Sequence, residues 1–384
     1  MKSPFLLLAL VGSLLLSGTR ILSAQEEAVA VQAHSSTPDT LRIVFLGDIM
    51  MHRAQLRAAL RPEADSLRSD SYDLDSYFRH IQPYLEAADI AVANLECPIG
   101  VAPYTGYPGF SAPEALAIAA QEAGIDVLLN ANNHICDKRS RGLNHTHRLL
   151  DSLGIHHTGS FRNKEAQVAQ SPLILDCKGQ RIALVNFTYG TNGIPIPSPW
   201  VVNTLDRNEV LADLHRAQQK DADWIIALPH WGEEYRLQPN AVQTEWQEFL
   251  YDQGVRIIVG SHPHVVQPVQ TDWDGYRRER ITWFSLGNAI SNMSIENART
   301  GFLAEVCLVR DPLGRLQIAK HRTVWLWCSR AGGFEKNYTI LPVEDFKNRR
   351  NDFCNPADYD RMMQEYRRLK TYFEQQQSIV YETR

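Results

Sequence analysis

What most constrains this chain is a repeated pattern in which apolar runs of strand length each end on a small set of polar residues. "LRIVFLGD" (41–48), "DIAVANLE" (89–96), "IDVLLNANNH" (125–134), "DWIIALPHWG" (223–232) and "VRIIVGSHPH" (255–264) alternate with stretches of helical apolar spacing. Near-continuous apolar strands between helices predict an α/β sheet covered on both faces. In such sheets ligands bind outside the carboxyl ends of the strands. Those ends carry Gly47-Asp48, Asn94-Leu95-Glu96, Asn132-Asn133-His134, His230-Trp231-Gly232 and Gly260-Ser261-His262-Pro263-His264. Five strand ends therefore finish in metal-ligand residue types.

The last of them is the most pointed. Proline cannot donate to a central ladder, so Pro263 puts His262 and His264 at the strand's rim. Residues two apart in extended backbone point the same way, so both imidazoles can converge on one point. Taken singly, each polar residue also has an ordinary explanation. Asp48 could cap a turn or a helix, Glu96 could be a solvated loop acid, Asn133 could occupy a left-handed turn, and His230 could be a satisfied core imidazole. Only their joint occurrence favours a shared site.

An aspartate, a glutamate, an asparagine and several histidines suit one or two divalent ions of Mn, Fe or Zn. The expected ligands are Asp48, Glu96, Asn133, His230, His262 and His264. A carboxylate has two oxygens and can serve two ions, which when about 3.5–4 Å apart can clamp a phosphoryl group. Asn133 would add a neutral carbonyl oxygen. His134 need not be a ligand: it can give a proton to a leaving group, with Asp137 orienting its ring. His52, four residues after Asp48, is either a further ligand or part of the first helical turn. No G-x-S-x-G, Walker or G-x-G-x-x-G pattern occurs, so serine-hydrolase, P-loop and Rossmann readings lack support.

The remainder of the chain sets the frame. Residues 1–24 have Lys2, an apolar stretch from Phe5 to Leu16 and then small residues, the grammar of a signal peptide cleaved after Ala24, with an uncleaved anchor as the alternative. Residues 25–40 are polar and aperiodic and read as a linker. Export permits disulfides, and the six cysteines are widely spaced, with a Cys97–Cys136 bridge conceivable and most of them expected as small buried hydrophobes. A net charge of −5 without a basic run argues against nucleic acid as a partner. Helical material is expected through "DLDSYFRHIQPYLEAA", a hairpin around Lys178-Gly179, and antiparallel strands after residue 279 with a turn at Asp311–Gly314. One domain is expected over 41–345, followed by a helical extension over 346–384. The Gly- and Pro-rich loop "YGTNGIPIPSPW" (189–200), with Asn192 and Gly193 at its turn, is the candidate for substrate contact; its plain alternative is a long surface loop.

Together "FLGDIMMHR", "ANLECPIG", "LNANNHICDKRSRGL", "YGTNGIP", "LPHWGEEY", "GSHPHVVQP" and "FSLGN" resemble the bacterial capsule synthesis protein CapA family, a branch of the calcineurin-like metallophosphatases. The resemblance runs in order from about residue 41 to about 310. It implies a four-layer α/β/β/α sandwich of metallophosphatase type. It also implies a metal-dependent, phosphoesterase-like hydrolase site in an exported, periplasmic or envelope-associated protein of capsule or poly-γ-glutamate synthesis or anchoring. The implied partners are an extracellular anionic polymer or its precursor and a membrane capsule-synthesis complex. Residue by residue, it makes Asp48 the first aspartate, Glu96 the metal bridge, Asn133 and His230 ligands, His134 the catalytic histidine, His262 a ligand of the second metal and His264 of the first. The superfamily's histidine two residues after the first aspartate is Met50 here, so either His52 substitutes for it or the first ion is weakly held or absent. The rival function is a non-catalytic, metal-binding assembly or export protein.

Overall fold

A computed structural model describes residues 40–276 and 278–382, so the expected signal peptide and linker lie outside the described residues apart from Thr40. Two sheets form. The first runs, edge to edge, Thr339–Pro342, Leu316–Ser329, Thr300–Arg310, Leu41–Ile49, Ile90–Leu95, Val127–Leu129 and His156–Thr158, with Asn288–Ile290 pairing beside Leu41–Ile49. The second runs Val269–Trp273, Glu279–Trp283, Ile257–Val259, Trp224–His230, Gln180–Thr188 and Leu173–Cys177. The central strands Leu41–Ile49, Ile90–Leu95 and Val127–Leu129 are parallel, as are Gln180–Thr188, Trp224–His230 and Ile257–Val259.

Alternation along each strand decides the layers. Ile43, Phe45, Ile90 and Val92 of the first sheet meet Leu184, Ile226, Leu228 and Ile257 of the second in a core between the sheets. Their neighbours Val44, Leu46, Ala91 and Ala93 face the other way, onto Leu116, Ala120 and Leu150 of the helices Ala115–Glu122 and Arg139–Leu153. On the far side Val185, Phe187, Ala227 and Ile258 pack on Val210 and Leu214 of Arg207–Gln219 and on Trp246 and Leu250 of Ala241–Asp252. Strands buried on both faces read as unbroken apolar runs, and here both faces are covered. The result is the expected four-layer α/β/β/α sandwich.

Two local expectations differ. The segment expected to be helical around residues 74–88 is mostly turn, with helix only over Gln82–Glu86. The carbonyls of Ser76 and Tyr77 accept hydrogen bonds from Thr339 Oγ1 and Ile340 N, which diverts them from a helical ladder. The strand Glu279–Trp283, expected to be antiparallel, pairs parallel with Ile257–Val259 and antiparallel with Val269–Trp273.

The terminal helix Pro356–Glu382 packs onto the sheets. Leu369 enters the core between them, while Met362 and Tyr366 join Trp327 and Leu341. A buried ion pair fastens its first turn: Arg299 Nη2 lies 2.5 Å from Asp358 Oδ1, and Asp358 Oδ2 accepts from Ser329 Oγ at 2.6 Å. All six cysteines are free, so the conceivable Cys97–Cys136 bridge is not formed. Cys97, Cys136 and Cys328 are buried, as small hydrophobes would be.

Candidate metal centre

Parallel strands of both sheets bring their carboxyl ends to one place. Asp48 sits near the end of Leu41–Ile49, where Gly47 allows the chain to pass Gly287: a Cβ at Gly47 would stand 2.0 Å from the Gly287 carbonyl oxygen. Gly260 likewise lies against Phe284 O and Trp231 Nε1, at 2.2 and 2.4 Å from where its Cβ would be. These two glycines let the ligand-bearing turns nest between neighbouring strands.

The histidines converge by a different route from the expected extended backbone. His262 and His264 have φ of 99° and 58°, left-handed conformations that cost free energy in a non-glycine residue. Two such residues in one turn aim both imidazoles inward, with ring centroids 5.8 Å apart.

Asp48, Glu96, His230, His262 and His264 are all buried, and the structure groups them tightly. Asp48, Glu96 and His264 form one cluster with ligand atoms within 4.8 Å of one another; Glu96, His230 and His262 form a second. Glu96 is common to both, as a bridging carboxylate would be. Its Oε1 lies 3.6 Å from His230 Nε2 and 3.5 Å from His264 Nε2. Asn133 joins through its Oδ1, 2.8 Å from His230 Nε2. Supporting groups hold the rings: Ser261 Oγ is 3.0 Å from His230 Nδ1, and Asn288 Oδ1 is 3.1 Å from His264 Nδ1. Asn94 Nδ2 donates to Asp48 Oδ1 at 2.7 Å.

These side chains fit a divalent cation. Both Glu96 oxygens, Asp48 Oδ2 and His262 Nδ1 are buried with no hydrogen-bond partner among the described residues. Two adjacent carboxylates with three of their four oxygens unpartnered are costly in a dry interior unless a cation compensates them. Burial and the neighbouring Asp48 push the Glu96 carboxyl well above its usual range. Burial works against ionisation of Asp48 too, but the neighbouring His264, then His230 and the Asn94 amide, hold its carboxyl below the ordinary value. Burial lowers His230 to about 3 and His262 well below its usual value, so both rings are neutral, the form that binds metal.

His134 stands beside this cluster. Its Nδ1 is 2.9 Å from Asp137 Oδ2, which also accepts from the backbone N–H of Phe110 at 2.8 Å. The Phe110 ring packs edge-on against it at 4.7 Å. Asp137 thus fixes the ring and leaves Nε2 as the nitrogen available to a ligand.

His52 joins none of the clusters. It precedes the helix Arg53–Ala59 as its cap; its Nδ1 lies 3.2 Å from Gln55 Oε1 and accepts from Asn292 N at 3.3 Å. Burial lowers it to about 4. Met50 is fully buried in the apolar layer beneath the first sheet's helices. In the 189–200 loop, Asn192 Oδ1 accepts from Asn133 Nδ2 at 3.2 Å and from the Tyr189 hydroxyl at 3.1 Å. Gly193, with φ of 70°, shapes that turn.

One residue absent from the sequence-based set does enter: Glu234, whose carboxylate groups with His262 and His264. Its signal was the acidic pair of "HWGEEY", four residues beyond His230.

A four-layer sandwich with buried imidazoles and carboxylates at the joint carboxyl edge of two sheets defines an α/β protein with a candidate metal centre. The model of the bacterial capsule synthesis protein family PGA_cap matches residues 42–293, and the chain belongs to that family. It is 29% identical over 296 residues to "Capsule biosynthesis protein CapA" of Bacillus anthracis, covering 74% of this chain and 67% of the relative. It is 25% identical over 320 residues to "PGA biosynthesis protein CapA" of Bacillus subtilis (strain 168), covering 77% and 74%. Among solved structures it is similar to the calcineurin-like phosphoesterase YfkN from Bacillus subtilis, with a TM-score of 0.47, 13% identity and coverage of 88% of this chain and 99% of that one. NAD nucleotidase (NadN) of Haemophilus influenzae gives a TM-score of 0.46 and 12% identity, with coverage of 87% and 68%.

Proposed function

We propose that this chain is an exported capsule-synthesis protein whose strand-end centre holds one or two ions of Mn, Fe or Zn. It would act as a metal-dependent, phosphoesterase-like hydrolase on an extracellular anionic polymer or its precursor. The observation that carries the reading is the buried Glu96 carboxylate, both of whose oxygens lack a hydrogen-bond donor among the described residues, set beside Asp48 and ringed by His230, His262 and His264. The relatives' names supply the capsule and PGA context.

Asp48, Glu96, Asn133, His230, His262 and His264 would hold the ions, with Glu234 within reach of the His262–His264 side. Bound ions would supply Lewis acidity and an activated water. His134, oriented by Asp137, would give its Nε2 proton to the leaving group. Asn192, hydrogen-bonded to Asn133 and Tyr189, would with Gly193 bring the 189–200 loop into contact with substrate. Export is inferred from the charged, apolar and small-residue start of the chain. A membrane capsule-synthesis complex is the partner proposed for it. No helix among the described residues is long and apolar enough to cross a membrane.

A second reading is favoured by Met50, whose buried thioether occupies the place where the superfamily has a histidine, while His52 is engaged by Gln55 and Asn292. A centre short of one ligand would serve a non-catalytic assembly or export protein. Assaying purified, metal-replete protein against alkyl and aryl phosphodiesters and a γ-glutamyl oligomer separates the two. Turnover abolished by Glu96→Ala supports the hydrolase; tight metal retention with no turnover of any substrate supports the assembly protein. Mass analysis of the envelope-derived protein tests export: a terminus at Gln25 is expected, and an intact Met1 would contradict cleavage.

A further inference from the structure

Three exposed tyrosines lie around the centre, two of them against a histidine of the site and the third against the Phe110 ring beside His134. Tyr189, 43% exposed, packs its ring 4.4 Å from that of His262. Tyr235, 37% exposed, lies 6.1 Å from the His264 ring. Tyr107, 65% exposed, lies 6.3 Å from Phe110, the ring that abuts His134. Only one other tyrosine among the described residues with the largest exposed apolar surfaces, Tyr276, lies elsewhere, on the turn before Glu279–Trp283. Large rings are normally withdrawn from water, so three collected at one opening mark a contact surface.

The rings are held in place. The Tyr189 hydroxyl donates to Asn192 Oδ1, which also takes the Asn133 amide. Tyr235 has φ of 64°, and its N–H donates to Pro263 O at 2.8 Å, so a left-handed residue is tied to the histidine turn itself. Backbone strain of this kind persists only where the surroundings impose it, and it clusters at ligand clamps.

The chemistry of the rim selects the ligand. Tyr107, Tyr189, Asn192, Gly193 and Tyr235 offer ring faces, hydroxyls and an amide, and none of the five carries a charge. The Lys138 amine ends near Gly109, while the Glu234 carboxylate, exposed beside Tyr235 and grouped with His262 and His264, adds a negative charge that disfavours a row of side-chain carboxylates. A ring face with hydroxyl and amide partners around it matches a sugar, which has an apolar C–H face and equatorial hydroxyls. We propose that the tyrosine rim binds an uncharged sugar ring adjoining the linkage presented to the metal centre. The linkage part rests on the hydrolase reading above; the sugar contact does not.

The test is equilibrium binding, with no turnover required. Full-length protein, its metal content measured on the same sample, is titrated with a panel of uncharged gluco-, galacto- and N-acetylhexosamine tetramers and with a γ-glutamyl hexamer. At least one sugar tetramer should bind more tightly than the γ-glutamyl hexamer. Tyr189→Ala and Tyr235→Ala should each weaken it about tenfold or more, the loss typical of an anchoring aromatic. Tyr189→Phe should retain most of the affinity, because the ring face remains. Absence of binding to every sugar, preference for the γ-glutamyl hexamer, or unchanged affinity in correctly folded alanine variants overturns the proposal. Sugar binding by protein that proves inactive would sink the hydrolase reading alone.

Discussion

His230 Nε2 lies 2.8 Å from Asn133 Oδ1, across 97 residues of chain, and joins the carboxyl edge of one sheet to that of the other. The centre is therefore a property of the packed sandwich: neither sheet alone assembles it. Glu96 from the first sheet meets His230 and His264 from the second in the same way. Long-range assembly of this kind makes the centre sensitive to single side chains and indifferent to most of the surface.

Glu96→Gln should raise the stability of the metal-free protein while abolishing metal retention. A carboxylate buried beside Asp48 without donors is replaced by a neutral amide of the same shape. Relief of about 1–3 kcal/mol is expected, because the metal-free wild type must either bury that charge unpaired or take up a proton to keep the carboxyl neutral, and the amide does neither. Urea unfolding of chelator-treated wild type and variant measures it. A lower midpoint in the variant would mean that Glu96 is already satisfied in the apo protein.

His134→Ala should keep near-normal metal content and lose about 10²–10⁴-fold in rate on an alkyl phosphodiester or γ-glutamyl polymer, the usual cost of a lost general acid. The loss should shrink on an activated aryl ester, whose leaving group departs unprotonated. Metal loss equal to that of Asn133→Ala would make His134 a ligand instead.

Much of this was legible in the sequence, for physical reasons. Strands buried on both faces read as unbroken apolar runs, so 41–48, 89–96 and 223–230 stood out, with Asp48, Glu96 and His230 at or just beyond their ends. The strand expected within 125–134 is only Val127–Leu129, because Asn130 to His134 fold into turns and Asn132 Oδ1 takes the His134 N–H. The turns around residues 74–81 were hidden, since only tertiary contacts with Thr339 and Ile340 divert their carbonyls. Glu234 was missed because an acid in a loop carries no periodicity. The tyrosine rim gathers from three separate loops, a convergence no local pattern reveals.

Stability should fall as pH drops below about 6.5, in part through His147. This buried ring, 2.8 Å from Ser160 Oγ, is lowered by burial to about 3 from an ordinary 6.5. Between those values the unfolded chain binds a proton that the folded one refuses. The stabilisation is therefore complete above the unfolded value and is lost as pH falls towards the folded one. His147→Gln should flatten the dependence of unfolding free energy on pH by up to one proton, about 1.4 kcal/mol per pH unit. Identical slopes at about pH 5–6 in wild type and variant would show that His147 titrates normally.

Asp358→Ala should destabilise the fold by about 3–5 kcal/mol, because it strands a buried guanidinium. The Arg299 and Asp358 side chains are only 7% and 8% exposed, and Arg299 retains the Cys328 carbonyl as its other partner. Denaturant midpoints report the change. A shift below about 1 kcal/mol, the range of exposed pairs, would mean that the Arg299–Asp358 pair contributes little to holding the terminal helix.

The central claim is that Glu96 binds metal at the joint edge of the two sheets, and bound metal per chain tests it most directly. Protein purified without chelator should carry at least one divalent ion per chain by elemental analysis. His52→Ala should keep it, since His52 lies outside the clusters, and Glu96→Ala should lose it. Metal-free wild type that takes up no Mn, Fe or Zn, or a Glu96→Ala variant that retains the wild-type complement, would contradict the account.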